Sequence, residues 1–147
     1  MCQWKIVFVV ILALFTTGCS SKKLPLLPLK MLVEVRPDPS ANNGQSFWMV
    51  IKEVDENEFA DDTYEAIESI VTSDTWGPDV LMVCAVVPGQ RHRVTTTRPT
   101  YRHAGFYFLF TNPHEYWKFL KRQPVSSKFT LHIEPYKASV TPLGSTF

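Results

Sequence analysis

The chain has 147 residues, with fifteen Lys and Arg against fourteen Asp and Glu, a formal charge of +1 and a pI of about 7.7. A balance this close to neutral argues against a nucleic-acid binder, whose usual footprint is a clustered basic excess. The length is enough for one domain with a real core.

The N-terminal residues decide which solvent the rest of the chain meets. Lys5 gives a positive start, residues 6–15 are an unbroken apolar run, and Thr16-Thr17-Gly18 lead into Cys19. A membrane span needs roughly twenty apolar residues, whereas the core of an export signal needs about 7–15. The short run and the switch to Ser20-Ser21-Lys22-Lys23 predict a signal peptide over residues 1–18. The segment Thr16-Thr17-Gly18-Cys19 resembles the lipobox of bacterial lipoproteins, with Thr16 where that family usually has leucine. An ordinary signal with a chance cysteine, or an uncleaved anchor, is the alternative. The resemblance implies cleavage before Cys19 and acylation of its thiol and new amino group. Ser20, where Asp is the usual inner-membrane retention residue, then implies the periplasmic face of the outer membrane. Several acyl chains hold a protein firmly where one binds only marginally.

Without residues 1–18 the chain has 129 residues and fourteen bases against fourteen acids. Cys2 leaves with the signal and Cys19 carries lipid, so Cys84 is the one thiol left and no intramolecular disulfide can form. Its apolar neighbours mark it as core. Residues 19–30 mix serines, lysines, leucines, Pro25 and Pro28, and read as a tether that proline keeps extended. Residues 31–147 form the folded domain.

That domain opens with alternation over residues 31–36, where Met31, Val33 and Val35 face one side of a half-buried strand. Two prolines and Asn42-Asn43-Gly44 then make residues 37–45 a loop. A second strand over residues 46–54 turns Phe47, Met49 and Ile51 away from Trp48, Val50 and Lys52, and the pair reads as a hairpin with an enlarged tip. The next segment predicts a single helix capped by Asp62 with Glu65 three residues on, its stripe Ile67, Ile70 and Val71 adjoined by Tyr64.

Residues 80–87 are wholly apolar and read as a central strand; Pro88-Gly89 turns the chain into a partner strand over residues 91–97. Residues 104–110 form a second core strand, with Phe106, Phe108 and Phe110 alternating against Tyr107 and Leu109. Residues 113–121 read as a short helical turn or loop. Residues 128–134 alternate, with Phe129, Leu131 and Ile133 inward, and a last short strand covers residues 138–140. Six or seven strands with turn-length connections predict an all-β fold, a two-sheet antiparallel sandwich with one small inserted helix.

Charge is unevenly placed. Ten of the fourteen acids fall in residues 53–79, while residues 91–128 hold eight bases and one acid, Glu115. Such asymmetry is common on solvated faces, and it also gives two faces of opposite sign for docking neighbours. Catalytic patterns are lacking in the sequence: His92, His103, His114 and His132 share no metal-ligand spacing, and neither a Gly-x-Ser-x-Gly elbow nor a phosphate loop occurs. The chain therefore reads as a non-enzyme with no cofactor and no metal. Trp48, Trp117 and Tyr107 could line a ligand cleft, although aromatic alternation in strands is more often core. The arginines at 91, 93, 98 and 102 read as a basic edge strand.

In order and landmarks the chain resembles TssJ, the outer-membrane lipoprotein family of bacterial type VI secretion. The residues that carry the likeness are the lipobox at Cys19, the strand Leu32-Val33-Glu34-Val35, the Asn42-Asn43-Gly44 loop and the strand Trp48-Met49-Val50-Ile51-Lys52. The acidic insert Phe59-Ala60-Asp61-Asp62, the turn Val87-Pro88-Gly89, and Gly105-Phe106-Tyr107 with Trp117 complete it. The resemblance implies a transthyretin-like β-sandwich with no catalytic activity. It also implies a role in fastening the secretion complex to the outer membrane by binding the periplasmic end of an inner-membrane TssM-like protein. By that resemblance the contact loop corresponds to Asp38, Ser40, Asn42, Asn43, Gly44 and Gln45, shorter here than in the family and without its Asn-Pro pair. The same loop read from its residues alone is a hairpin tip. A small-ligand-binding or sensing lipoprotein with a cleft near Trp48 and Trp117 is the competing function.

Overall fold

A computed structural model describes residues 27–113, 116–135 and 138–142. The expected signal peptide, the expected lipidation residue Cys19 and most of the expected tether lie outside the described residues, as does His114. The described residues form eight strands and two short helices, with a 3-10 turn at Ala41–Gly44. The strands are β1 (Lys30–Pro37), β2 (Phe47–Val54), β3 (Val80–Val86), β4 (His92–Thr97), β5 (His103–Leu109), β6 (Lys118–Lys121), β7 (Lys128–Ile133) and β8 (Ala138–Pro142). The helices α1 (Glu56–Asp61) and α2 (Tyr64–Thr72) lie between β2 and β3.

The expected sandwich is present. One sheet has the order β4-β1-β7-β8 and the other β3-β2-β5-β6. Alternation builds the core between them. Met31, Val33 and Val35 of β1 and Phe129, Leu131 and Ile133 of β7 face Phe47, Met49 and Ile51 of β2 and Phe106 and Phe108 of β5. Phe106 stacks on Phe119 at 5.0 Å and meets Phe129 edge-on at 5.4 Å. All pairs are antiparallel except β1 with β7, which runs parallel because the chain crosses from β6 in one sheet to β7 in the other.

Four expectations about the strands change. The first two strands do not make a hairpin: β1 and β2 belong to different sheets, and the loop between them crosses the sandwich. The turn at Pro88-Gly89 makes the same kind of crossing, so β4 pairs with β1 and not with β3. β3 is an edge strand despite its unbroken apolar run. Met82 and Cys84 turn toward the core while Val80 and Val83 lie under the helical insert, so both faces are apolar at an edge. Residues 118–121, expected as helix or loop, form β6 against β5. The aromatic spacing is the reason. Trp117 faces the helices and Phe119 the core, an alternation with a period of two.

The helical insert divides in two. α1 starts in a capping box between Asp55 and Glu58, and α2 is capped by Thr63, whose hydroxyl accepts from the Ala66 amide. Asp62 ends α1 instead of starting α2. Its carboxylate is taken up by two sheet residues: Lys52 donates to both oxygens at 3.1 Å, and the buried Tyr107 hydroxyl donates at 2.5 Å. Lys118 donates to the carbonyls of Phe59, Ala60 and Asp62, supplying a cation at the C-terminus of α1. Ile67 is fully buried, with Ile70, Val71 and Tyr64 beside it, so the predicted stripe is the one that meets the sheet. Gly105 makes room for the Tyr107 side chain, whose hydroxyl oxygen a Cβ would approach to 2.8 Å.

Candidate partner-binding end

β1 runs from Lys30, where the expected tether joins the domain, to the loop at residues 38–46, so the two lie at opposite ends of one strand. We describe the loop end as distal. Its conformation is built from local chemistry. Asp38 accepts from the Ser40 amide at 2.8 Å and from the Ser40 hydroxyl, and these bonds hold its carboxyl below the usual carboxylate range. The Ala41 amide returns to the Asp38 carbonyl at 2.9 Å. Asn42, Asn43 and Gly44 then follow one another with φ of 48°, 56° and 76°, a left-handed run that Asn and Gly tolerate best.

The predicted contact residues separate into two groups. Asn42 points inward and is only 7% exposed. Its amide nitrogen donates to the carbonyls of Gln45 and Ser46, and its oxygen accepts from the Thr111 amide at 2.8 Å. Asn42 therefore locks the loop to the end of β5 and offers nothing to a partner. Asp38, Ser40, Asn43, Gly44 and Gln45 are exposed. Gln45 also accepts from the Thr111 hydroxyl at 3.0 Å. The turn after β3 closes the other side, where the Gly89 amide donates to the Pro37 carbonyl at 3.2 Å. The result is a pinned loop with a polar crest. Thr111 had no signal in the sequence, because its role depends on β5 ending beside a loop far away in the chain.

Next to the crest is a cleft of about 300 Å³ lined by Trp48, Tyr64, Glu68, Val71, Thr72, Leu109, Phe110 and Thr111. Trp48 is 45% exposed there. Trp117 is not part of it: its ring packs against Tyr64 at 5.3 Å and Tyr107 at 5.9 Å. The Tyr64 hydroxyl donates to the Phe110 carbonyl at 2.6 Å, and burial pushes its pKa up. Cys84, half-buried in β3, is likewise pushed up by burial, an environment that favours the unreactive thiol. Among the described residues no group of three or more His, Cys, Asp or Glu is placed to hold a metal ion, and no helix is long and apolar enough to cross a membrane.

The sequence pattern of the IglE N-terminal domain matches residues 48–133. No curated protein sequence matches the chain. Several solved structures share its fold. The type VI secretion lipoprotein TssJ1 from Pseudomonas aeruginosa aligns with a TM-score of 0.62 at 15% identity, over 82% of this chain and 100% of that one. Lip from Serratia marcescens, a membrane-bound component of the type VI secretion system, aligns with a TM-score of 0.61 at 11% identity, over 76% and 96%. The TssM C-terminal domain from EAEC aligns with a TM-score of 0.52 at 16% identity, over 76% and 99%. With the pattern spanning β2 to β7 on a sandwich of the TssJ kind, the chain belongs to the IglE N-terminal domain family.

Proposed function

We propose that the protein is a non-catalytic assembly subunit of a type VI secretion membrane complex. It is held at the periplasmic face of the outer membrane by lipid on Cys19 and binds the periplasmic domain of a TssM-like inner-membrane subunit. The observation that carries this reading is the placement of the two ends. β1 spans about 26 Å, eight residues at roughly 3.3 Å each, and separates the tether from the exposed crest of the loop. An anchor at one end leaves the other free to meet a partner across the periplasm. The names of the structural relatives, a secretion lipoprotein and a membrane-bound component of the same machine, support the assignment to that system. The pinned loop supports protein recognition, since a rigid scaffold presenting polar loop groups loses little entropy on binding.

The cleft at Trp48 supports a second reading, a small-ligand site. Thr111 joins the cleft to the loop, so we read the exposed tryptophan as a flank of the partner surface.

The test is a pull-down of the TssM-like periplasmic domain with the acylated protein, checked first by mass spectrometry for acyl chains on Cys19. Ser40→Ala with Asn43→Ala removes exposed crest groups and leaves Asn42 in place; capture should fall tenfold or more while the urea midpoint falls less than it does in Asn42→Ala. Undiminished capture would remove the loop from the interface, and an unacylated Cys19 would remove the anchor.

A further inference from the structure

We propose that Arg36, Arg91 and Arg93, gathered around the Glu34 carboxylate, form a docking surface for an acidic segment of a protein partner. The proposal extends the partner-binding reading to a second patch at the distal end and rests on it.

Glu34 sits on the outward side of β1, yet its side chain is only 8% exposed, because three arginines cover it. Arg36 binds Oε1 through Nε and an Nη, both at 2.5 Å. Arg91 reaches Oε1 at 3.4 Å and Arg93 reaches Oε2 at 3.3 Å. The side chains of these three remain 42%, 56% and 65% exposed. One carboxylate has about four acceptor sites, whereas three guanidinium groups carry about fifteen N–H donors. Most of those donors are therefore left to solvent or to a second carboxylate, and the cluster keeps a local charge of about +2 (three guanidinium groups against one carboxylate).

A staple between β1 and β4 needs only one of the three pairs. Glu34 faces Arg93 in the strand register, so that pair alone closes the ladder. The other two arginines add positive charge that the fold does not require. Holding all three on a shared anion fixes long side chains in advance, which lowers the entropy lost when a partner's carboxylates bind in the paired geometry guanidinium favours. Location supports a partner at the loop end. Arg36 lies two residues before Asp38 in the chain, and Arg91 follows the turn whose Gly89 amide bonds Pro37. Asp38 and Glu134 border the groove on the far side of Arg36, which confines the positive field to the β1–β4 side.

The experiment uses a fluorescein-labelled ten-residue oligoglutamate as the probe and follows anisotropy with the mature chain at low and moderate salt. Binding should weaken steeply with salt, and an oligolysine of the same length should not bind. R91E/R93E should lose tenfold or more in affinity. K121E/K128E changes the net charge equally but lies at the β6 end and the β7 start, toward the tether; it should lose less than twofold. If the reversal variant unfolds, R91Q/R93Q set against K121Q/K128Q carries the same comparison. Equal losses in the two double variants would overturn the proposal, as would binding to phosphatidylglycerol vesicles without binding to the peptide. The partner pull-down separates this inference from the wider reading. Lost peptide binding with retained capture sinks only the arginine surface, and retained peptide binding with no capture sinks only the secretion role.

Discussion

On the second sheet the outer side is apolar and covered: Val50, Tyr107 and Leu109 lie beneath Ile67, Phe59 and Tyr64 of the two helices. On the first sheet the outer side is polar and carries neither helix: Glu34 of β1 and Thr130 of β7 are buried among neighbouring side chains, while Arg36 of β1 and Arg93 of β4 are exposed. The two sides also differ in charge. The insert and its approaches carry the acids of residues 53–79, and the opposite sheet carries the arginines of β1 and β4. Each side has one carboxylate at its centre, and the two do different work. Asp62 fastens a cover to the sheet, whereas Glu34 organises a surface that stays open.

The largest expected effect comes from breaking the covered side. Asp62→Ala removes the acceptor of a buried tyrosine hydroxyl and a partner of the half-buried Lys52, so unfolding free energy should fall by about 2–4 kcal/mol. Hydrogen exchange should quicken first in α1 and α2. A loss below about 1 kcal/mol would mean that the apolar contacts of Ile67 hold the insert without help. Urea unfolding with site-resolved exchange separates the two outcomes.

A middle-sized effect is expected where the sheets meet at the distal end. Asn42→Ala deletes two donated bonds and one accepted bond and places alanine at positive φ, which should cost about 1–3 kcal/mol. Asn43→Ala, at an exposed position, should cost less. Equal losses would show that backbone strain, and not the Asn42 bonds, pins the loop; urea midpoints of the two variants make the comparison.

The smallest effect sharpens the open side and appears in pH. The Arg36 hydrogen bond and the charges of Arg36, Arg91 and Arg93 hold the Glu34 carboxyl below the usual carboxylate range, against a smaller opposing push from burial. Arg122 does the same for Glu56, and Ser40 for Asp38. Each group is more acidic when folded than unfolded. Its contribution is therefore complete above the unfolded carboxylate pKa and is lost as pH falls through the folded value. Melting temperature should be flat near neutrality and fall in acid. Glu34→Gln should lower the neutral melting temperature slightly and reduce the acid slope; an unchanged slope would show that Glu34 is not held in its ionised form.

Residues 31–36 and 128–134 revealed their inward faces in the sequence because a strand with one buried face writes its burial as alternation, and the structure places Met31, Val33, Val35, Phe129, Leu131 and Ile133 as expected. The stripe of α2 was legible for the corresponding helical reason. The caps were harder. Asp62 was the expected cap, yet Thr63 takes that place while the Asp62 carboxylate binds Lys52 and Tyr107 across the sheet. The loop residues were visible as turn formers, but Asn42 turned inward for a reason that lies at Thr111.

By itself, the sequence determined seven of the eight described strands and the sandwich class, and where a strand alternates it also determined the apolar side, since alternation is a local period of two. Strand partners came only with the tertiary structure. Whether a loop folds back on its own sheet or crosses to the other depends on where β4, β5 and β7 lie, and no local period encodes that. The same holds for Glu34 and Asp62: a carboxylate's role is set by the cations and hydroxyls that distant strands bring to it.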